Sequence, residues 1–468
     1  MKIIRKFTSS VTLRAAVFIV LSCLVLGASR SSDLWAAWHR SSPAPLAVLP
    51  SASDDAAESR EVIGFLERRI RRDPGDSDVY SKLAGLYLQQ LRETGALEDL
   101  GLALRAAHAS LAIVPSVRNT DGLTSLALAE FASHEFGPAR DHARKLAQLD
   151  YTGTPYALLG DALAELGDYG QAEQAYSQMQ RRSGVDNENV ATRMARLAQL
   201  RGDNPGAERD FSKALALELG RSEPSHERIA WFHWQLGDTA FFNGDYPTAE
   251  TNYEDALTAY PGYFRALASL GRLQAARGAF PQAISNYEAA VRLLPDPTFV
   301  AELGDVYKLS GQEKEAERQY GLVEFIGHLS KLNGVMYNRQ LAMFYADHDV
   351  KAREAYVDAK REYGVRRDIL GADALAWTAL KAGKIREAQV AMKAALRLGT
   401  QDPRLFYHAG MIAQAARQYA LARTYLERAL TLNPQFDALQ AIKAREALQN
   451  VSSRTQAAQR GATAIANM

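Results

Sequence analysis

From about residue 57 to residue 440, apolar side chains recur at three- and four-residue spacing, in runs broken at Gly-Asp, Gly-Asn or Asn-Pro. Apolar positions at that spacing line one face of an α-helix and the breaks are turn signals, so the pattern predicts helix after helix and no convincing strand. The breaks themselves are periodic. Leu236-Gly237, Ala249, Tyr253, Ala256 and Pro261 are followed by Leu270-Gly271, Ala283, Tyr287, Ala290 and Pro295, each displaced by 34 positions. A period of that length marks a chain assembled from copies of one helix pair, none of which buries its apolar face alone.

Counted from the alanine of the second helix, the register runs Ala139, Ala172, Ala207, Ala249, Ala283, Ala316, Ala352, Ala388 and Ala422, in steps of 33 to 42 residues. Leu159-Gly160 with Tyr176, Leu303-Gly304 with Tyr307 and Tyr320, and Gly410 with Ala429 and Pro434 fill further positions, and an earlier unit runs from Leu83 to Pro115. The set resembles the tetratricopeptide repeat, with Leu-Gly and an aromatic on a first helix, Ala, an aromatic and Ala on a second, and Pro closing the unit. That resemblance implies an all-α fold, a right-handed superhelical solenoid of about ten helix pairs over residues 57–449, continuous rather than divided into domains. Its glycine and alanines belong where helices approach closely, with the aromatics between pairs. Val62 to Pro74 looks like a lone second helix capping the start, residues 435–449 like a closing helix, and 450–468 like a tail without fixed structure. Two units depart from the pattern. Arg339 and Gln340 stand for Leu and Gly before Ala352, and the unit around Ala139 lacks the glycine; the 42-residue step holds an extra turn, Gly220 to His226.

The N-terminus reads as targeting. Lys2, Arg5, Lys6 and Arg14 precede an apolar run from Ala15 to Ala28, followed by Ser29-Arg-Ser-Ser-Asp33. The run is short for a spanning helix, which needs about 20 residues. A cleaved signal peptide over residues 1–28 is the first reading, and a retained anchor extended by Val11 to Leu13 is the second. In a third, Val20-Leu21-Ser22-Cys23 resembles a bacterial lipobox and Cys23 becomes the lipidated first residue. Residues 29–56, rich in Ser, Ala and Pro, form a flexible spacer in which Trp35 and Trp38 flank the membrane surface or serve as a docking motif. The expectation is an exported protein, periplasmic or secreted, alternatively anchored by its N-terminus and facing the periplasm.

Fifty-five basic against 54 acidic residues leave a formal charge of +1, without the basic footprint that phosphate neutralisation requires, so no nucleic-acid partner is expected. The single cysteine, Cys23, leaves the body of the chain without a disulfide or a catalytic thiolate. Gly383-Lys384 runs into Ile385 and lacks the upstream glycine of a phosphate loop, and His134-Glu135 meets Pro138 where a second zinc histidine would fall. His134 and His142 read as surface helix histidines. Asp54-Asp55 and Glu313 with Glu315 read as solvated charge. No catalytic residue, cofactor or metal site is predicted. Some glycosyltransferases carry similar arrays with an asparagine ladder, but the matching positions here hold Leu158, Arg193, Gln235, Ser269 and Glu302.

The resemblance also implies where a partner would lie: a concave groove lined by the second, fifth, ninth, twelfth and thirteenth first-helix positions. With Gly237 as the eighth, these are Trp231, Trp234, Asp238, Phe241 and Phe242; the next repeat adds Arg265 and Arg272, the one after Asp305 and Lys308. Trp377 and Tyr407 mark a weaker second patch. Exposed aromatics would suit an apolar peptide or a sugar face, and the arginines an acidic or C-terminal segment. The plainer account packs the aromatics against the extra turn at 220–226. The functional expectation is a non-catalytic scaffold binding a protein or peptide partner, with a glycan- or lipid-related carrier subunit as the alternative.

Overall fold

The computed structural model describes residues 52–332 and 339–466; the targeting run, Cys23, Trp35, Trp38 and the spacer as far as Ser51 lie outside the described residues. Among the described residues there are 22 α-helices and no strand. Helix α1 (Ala52–Arg72) stands before ten pairs. The first five are α2 (Ser77–Thr94) with α3 (Leu97–Ile113), α4 (Thr120–Ala132) with α5 (Phe136–Leu149), α6 (Thr154–Glu165) with α7 (Tyr169–Ser183), α8 (Glu188–Leu200) with α9 (Asn204–Leu219), and α10 (His226–Phe242) with α11 (Tyr246–Ala259). The second five are α12 (Phe264–Ala276) with α13 (Phe280–Leu293), α14 (Pro297–Leu309) with α15 (Glu313–Leu332), α16 (Arg339–Asp347) with α17 (Ala352–Val365), α18 (Ile369–Lys381) with α19 (Ile385–Ala395), and α20 (Pro403–Ala415) with α21 (Tyr419–Leu432). Helix α22 (Gln440–Ala466) closes the array.

The turn inside a pair explains the Gly-Asp signal. Gly167, Gly202 and Gly244 adopt φ of 80°, 73° and 77°, a left-handed conformation that glycine reaches without a Cβ penalty. The following Asp168, Asp203 and Asp245 then cap α7, α9 and α11 by accepting from the N–H groups of Gln171, Gly206 and Thr248. Four residues past each turn's last residue comes the small buried alanine of the register. Ala139, Ala172, Ala207, Ala249, Ala283, Ala316, Ala388 and Ala422 are all buried, at 2% exposure or less.

The unit at Ala352 departs from this register, and the structure gives the reason. There the buried alanine is Ala355, whose N–H donates to the Lys351 carbonyl at 3.0 Å as Ala249 donates to Asp245. The true position is three residues beyond the one counted from the sequence, so Arg339 and Gln340 never stood for Leu and Gly. At the far end, α22 runs on to Ala466 across the segment expected to lack fixed structure; its alanines and glutamines are good helix formers.

Glycine and tyrosine fix the spacing within a pair. A Cβ on Gly271 would lie 2.7 Å from Tyr287 Cδ2 and 2.9 Å from Cε2, and one on Gly237 would lie 2.5 Å from Tyr253 Cε1. Both rings are buried and cannot step aside. Gly271→Ala is therefore expected to cost about 1–3 kcal/mol by overpacking, despite alanine's better helix propensity. Faster amide exchange across α12 and α13 is the check, and unchanged protection there would show that the ring gives way.

Candidate partner-binding groove

The first helices of the pairs line the inner face, and their side chains are ordered by a ladder of charge. Asp161, Asp238 and Asp305 each follow the pattern glycine. Each accepts a hydrogen bond from the tyrosine 15 residues on, Tyr176 at 3.0 Å, Tyr253 at 2.7 Å and Tyr320 at 2.8 Å. Each also meets a basic side chain from a later first helix: Arg193 at 2.7 Å, Arg272 at 2.6 Å and the His348 at the end of α16 at 2.8 Å. Further along, His408 pairs with Asp373 at 2.9 Å, and Arg404 reaches both Glu302 and Asp437 at 3.4 Å. The three aspartate links and His408–Asp373 join neighbouring repeats by buried or partly buried, hydrogen-bonded charge, while Arg404 reaches from the tenth pair back to the seventh. Such links specify relative placement more than they add stability.

Burial sets the proton affinities. It pushes the Asp161 carboxyl above the usual range, against the pull of Arg193 and Tyr176. At His348 burial disfavours the charge, yet the hydrogen bond and charge of Asp305 outweigh it and raise the imidazole above its ordinary value. The geometry agrees, since Nδ1 faces the Phe344 carbonyl and Nε2 the Asp305 carboxylate, both at 2.8 Å, and only the doubly protonated ring donates to both.

The predicted aromatic patch divides in two. Trp231 is 6% exposed, edge-on to Phe211 of α9 at 5.9 Å and to Phe232 at 5.1 Å, and Phe241 is fully buried. They are core, and the partner of Trp231 is Phe211 itself, which sits before the extra turn. Trp234, Asp238, Phe242, Arg265 and Arg272 converge and are only partly buried. Trp234 Nε1 donates to Ser269 Oγ at 3.0 Å, and that hydroxyl donates to Asp238 at 3.2 Å. The Arg265 guanidinium lies 5.6 Å from the Trp234 ring, and that of Arg272 5.2 Å from Phe242. Arg272 is already engaged by Asp238. The weaker patch is not a surface at all, because Trp377 and Tyr407 are fully buried.

His134 also departs from its reading. It sits in the turn between α4 and α5 at φ 61°, stacked 5.4 Å from Phe136. Burial, with Arg366 and Arg339 nearby, pushes its imidazole down to about 3. His142 is half-buried and hydrogen-bonded to Glu130 at 2.7 Å. Among the described residues, no group of three or more His, Cys, Asp or Glu side chains is placed to hold a metal ion, and no helix is long and apolar enough to cross a membrane.

Family models described as tetratricopeptide repeat match residues 235–321 and 374–438, 186–262, and 154–181. The chain carries tetratricopeptide repeats. Human superkiller complex protein 3 is 25% identical over 206 residues, which is 43% of this chain and 13% of that protein's length. Among solved structures, the Cut9-Hcn1 heterotetramer of the APC/C aligns at 13% identity over 85% of this chain and 94% of that one, with a TM-score of 0.32. Yeast Tom70 aligns at 13% identity over 84% of this chain and all of the other, also at 0.32. In the tetratricopeptide register the ladder acids are ninth-position residues. Register alone named Asp238 and Asp305 and passed over Asp161; the shared signal that would have found all three is Gly-Asp at 160–161, 237–238 and 304–305, each aspartate with a tyrosine 15 residues on.

Proposed function

We propose that the chain is a non-catalytic scaffold of the bacterial cell envelope that grips an extended segment of a protein partner in its concave groove. The observation that carries this reading is the run of ten tetratricopeptide pairs with Trp234, Phe242 and Arg265 converging, half-buried, on the inner face. An arginine lying over an aromatic ring presents guanidinium donors to a partner's carboxylate with an apolar surface beside them, which suits a peptide carrying both an acidic and an apolar group. A stacked sugar ring needs a bare aromatic face. With Trp231 and Phe241 in the core and guanidinium groups beside Trp234 and Phe242, the glycan-carrier reading is the less favoured. The envelope half of the proposal rests on the charged and apolar pattern of residues 1–28 alone.

A photo-crosslinking residue at Phe242 of the full chain, expressed in its own cells, tests the groove. A protein partner crosslinked from position 242 and lost in the Trp234→Ala/Arg265→Ala variant is the expected result. Position 390 on α19, where Val390 is 73% exposed, serves as the comparison site. Crosslinking from 390 and not from 242 would move the site off the groove. A mature chain that retains residues 1–28 and fractionates with the cytosol would remove the envelope.

A further inference from the structure

Tandem repeats ordinarily touch only their neighbours, so a solenoid behaves as a nearly one-dimensional array. This chain does not. Gly167, in the turn of the third pair, packs so closely on the Arg367 carbonyl that a Cβ would collide with it, and Gly202 of the fourth pair meets the Gly399 carbonyl in the same way. A Cβ on Gly244 of the fifth would lie 2.9 Å from the Leu432 carbonyl, and one on Gly95 of the first would strike Leu294. At Gly95, Gly167 and Gly202 the turn inside one pair meets the loop that joins the pairs five and six places further on, and Gly244 meets the end of the tenth pair, five places on, where the chain leads into α22. Gly278, Gly311 and Gly383 hold the same turn conformation, at φ 75°, 78° and 75°, with nothing within 4 Å of their Cβ positions. The close approach is therefore a property of one edge of the coil and not of the repeat.

Hydrogen bonds run along that edge. Arg366 pairs with Glu165, 201 residues away, and stands 4.6 Å over the Phe136 ring. The Arg367 N–H donates to the Leu166 carbonyl at 3.3 Å, and the Ile369 N–H to the Tyr169 hydroxyl at 2.9 Å. Arg397 bridges the Arg367 carbonyl at 2.7 Å and the Gly167 carbonyl at 3.4 Å, while the Thr400 hydroxyl donates to the Leu200 carbonyl. Asn433 donates to the Phe241 carbonyl and accepts from the Tyr246 hydroxyl, both at 2.6 Å. Ile369 belongs to the same apolar cluster as Ala157, Leu163 and Val190.

We propose that these contacts form a latch that zips one superhelical turn onto the next, and that its release is what admits a partner segment sideways into the groove. The latch closes the gap between turns through which an extended chain would otherwise slide. Most of its bonds are single hydrogen bonds to backbone carbonyls at loops, each of modest net strength, so the seam opens at less cost than the helix pairs it joins. The gating half rests on the groove reading above; the latch stands without it.

Both halves are tested in the full chain with Cys23→Ser, Arg201→Cys and Gln401→Cys, which place two thiols across the seam. Spin labels there are expected to report one short distance in the otherwise unaltered chain. The mild variant Arg397→Ala/Tyr169→Phe, which leaves every helix pair intact, is expected to shift most of the population to longer distances. A long distance at the outset, or no shift in the variant, overturns the latch. Joining the thiols with a short bismaleimide should reduce crosslinking from Phe242 at least several-fold, and an undiminished yield overturns the gate. If position 242 crosslinks in neither form, the groove reading and the gate fall together while the distances still decide the latch.

Discussion

Arg193→Ala is expected to lower the free energy of local opening around α6 and α8 by about 3–5 kcal/mol, the cost of leaving a buried charge without its partner. Arg193 and Asp161 are 1% and 0% exposed, joined by three contacts of 3.0, 3.1 and 2.7 Å. Alanine would leave the carboxylate with only the Tyr176 hydroxyl, deep between the third and fourth pairs. The pH dependence has a definite sign. Burial already raises the Asp161 carboxyl and Arg193 opposes it, so its loss raises the folded-state value further above the unfolded one. The folded variant then holds a proton that the unfolded chain releases, and its deficit against wild type shrinks as pH falls toward that raised value. Amide exchange of residues 154–165 and 188–200 at pH 5 and pH 8 is the measurement, because a repeat array has no single unfolding transition. A control replaces the whole network by apolar groups, Arg193→Met, Asp161→Leu and Tyr176→Phe, and is expected to hold wild-type protection. If Arg193→Ala alone leaves protection unchanged at pH 8, the ladder does not fix the repeats.

The division between what sequence reveals and what it hides follows from range. The pairs, their glycines and their alanines were legible because each is set within about 34 residues by local turn chemistry and by one helix face. The count failed only at Ala352, where an alanine of the right type stood three places ahead of the buried Ala355. Inner-face register placed Trp234, Asp238, Phe242, Arg265 and Arg272 together, but could not tell a groove wall from a core, because position two of one repeat also faces the second helix before it. Trp231 therefore went to Phe211. What no local pattern carries is a contact between residues 200 apart: His134 reads as an ordinary surface residue until Arg366 and Arg339 of a later turn are brought beside it.

Trp377→Ala tests the same ambiguity at the other end of the coil, and about 3–5 kcal/mol of local stability is expected to go with it. Trp377 occupies a groove position by register and yet is fully buried, its ring stacked 4.3 Å from His408 and its Nε1 donating to Asp347 at 2.8 Å. Alanine would open a cavity in the cluster with Phe406, Tyr407 and Phe436 and strip Asp347 of its donor. A groove residue would behave differently, leaving stability nearly untouched and lowering partner capture instead. The histidine adds a second readout. Burial opposes a charge on His408, but Asp373 offsets it and holds the ring above the ordinary imidazole value. Its contribution is complete below about pH 6.5, the unfolded value, and is lost as pH rises through the raised folded one. Protection of α18 and α20 in the wild type should therefore decline on the alkaline side before that of α10 and α12, whose link is the Asp238–Arg272 pair with no histidine in it. Equal decline in both regions would mean that His408 stays neutral and that Trp377 is held by packing alone.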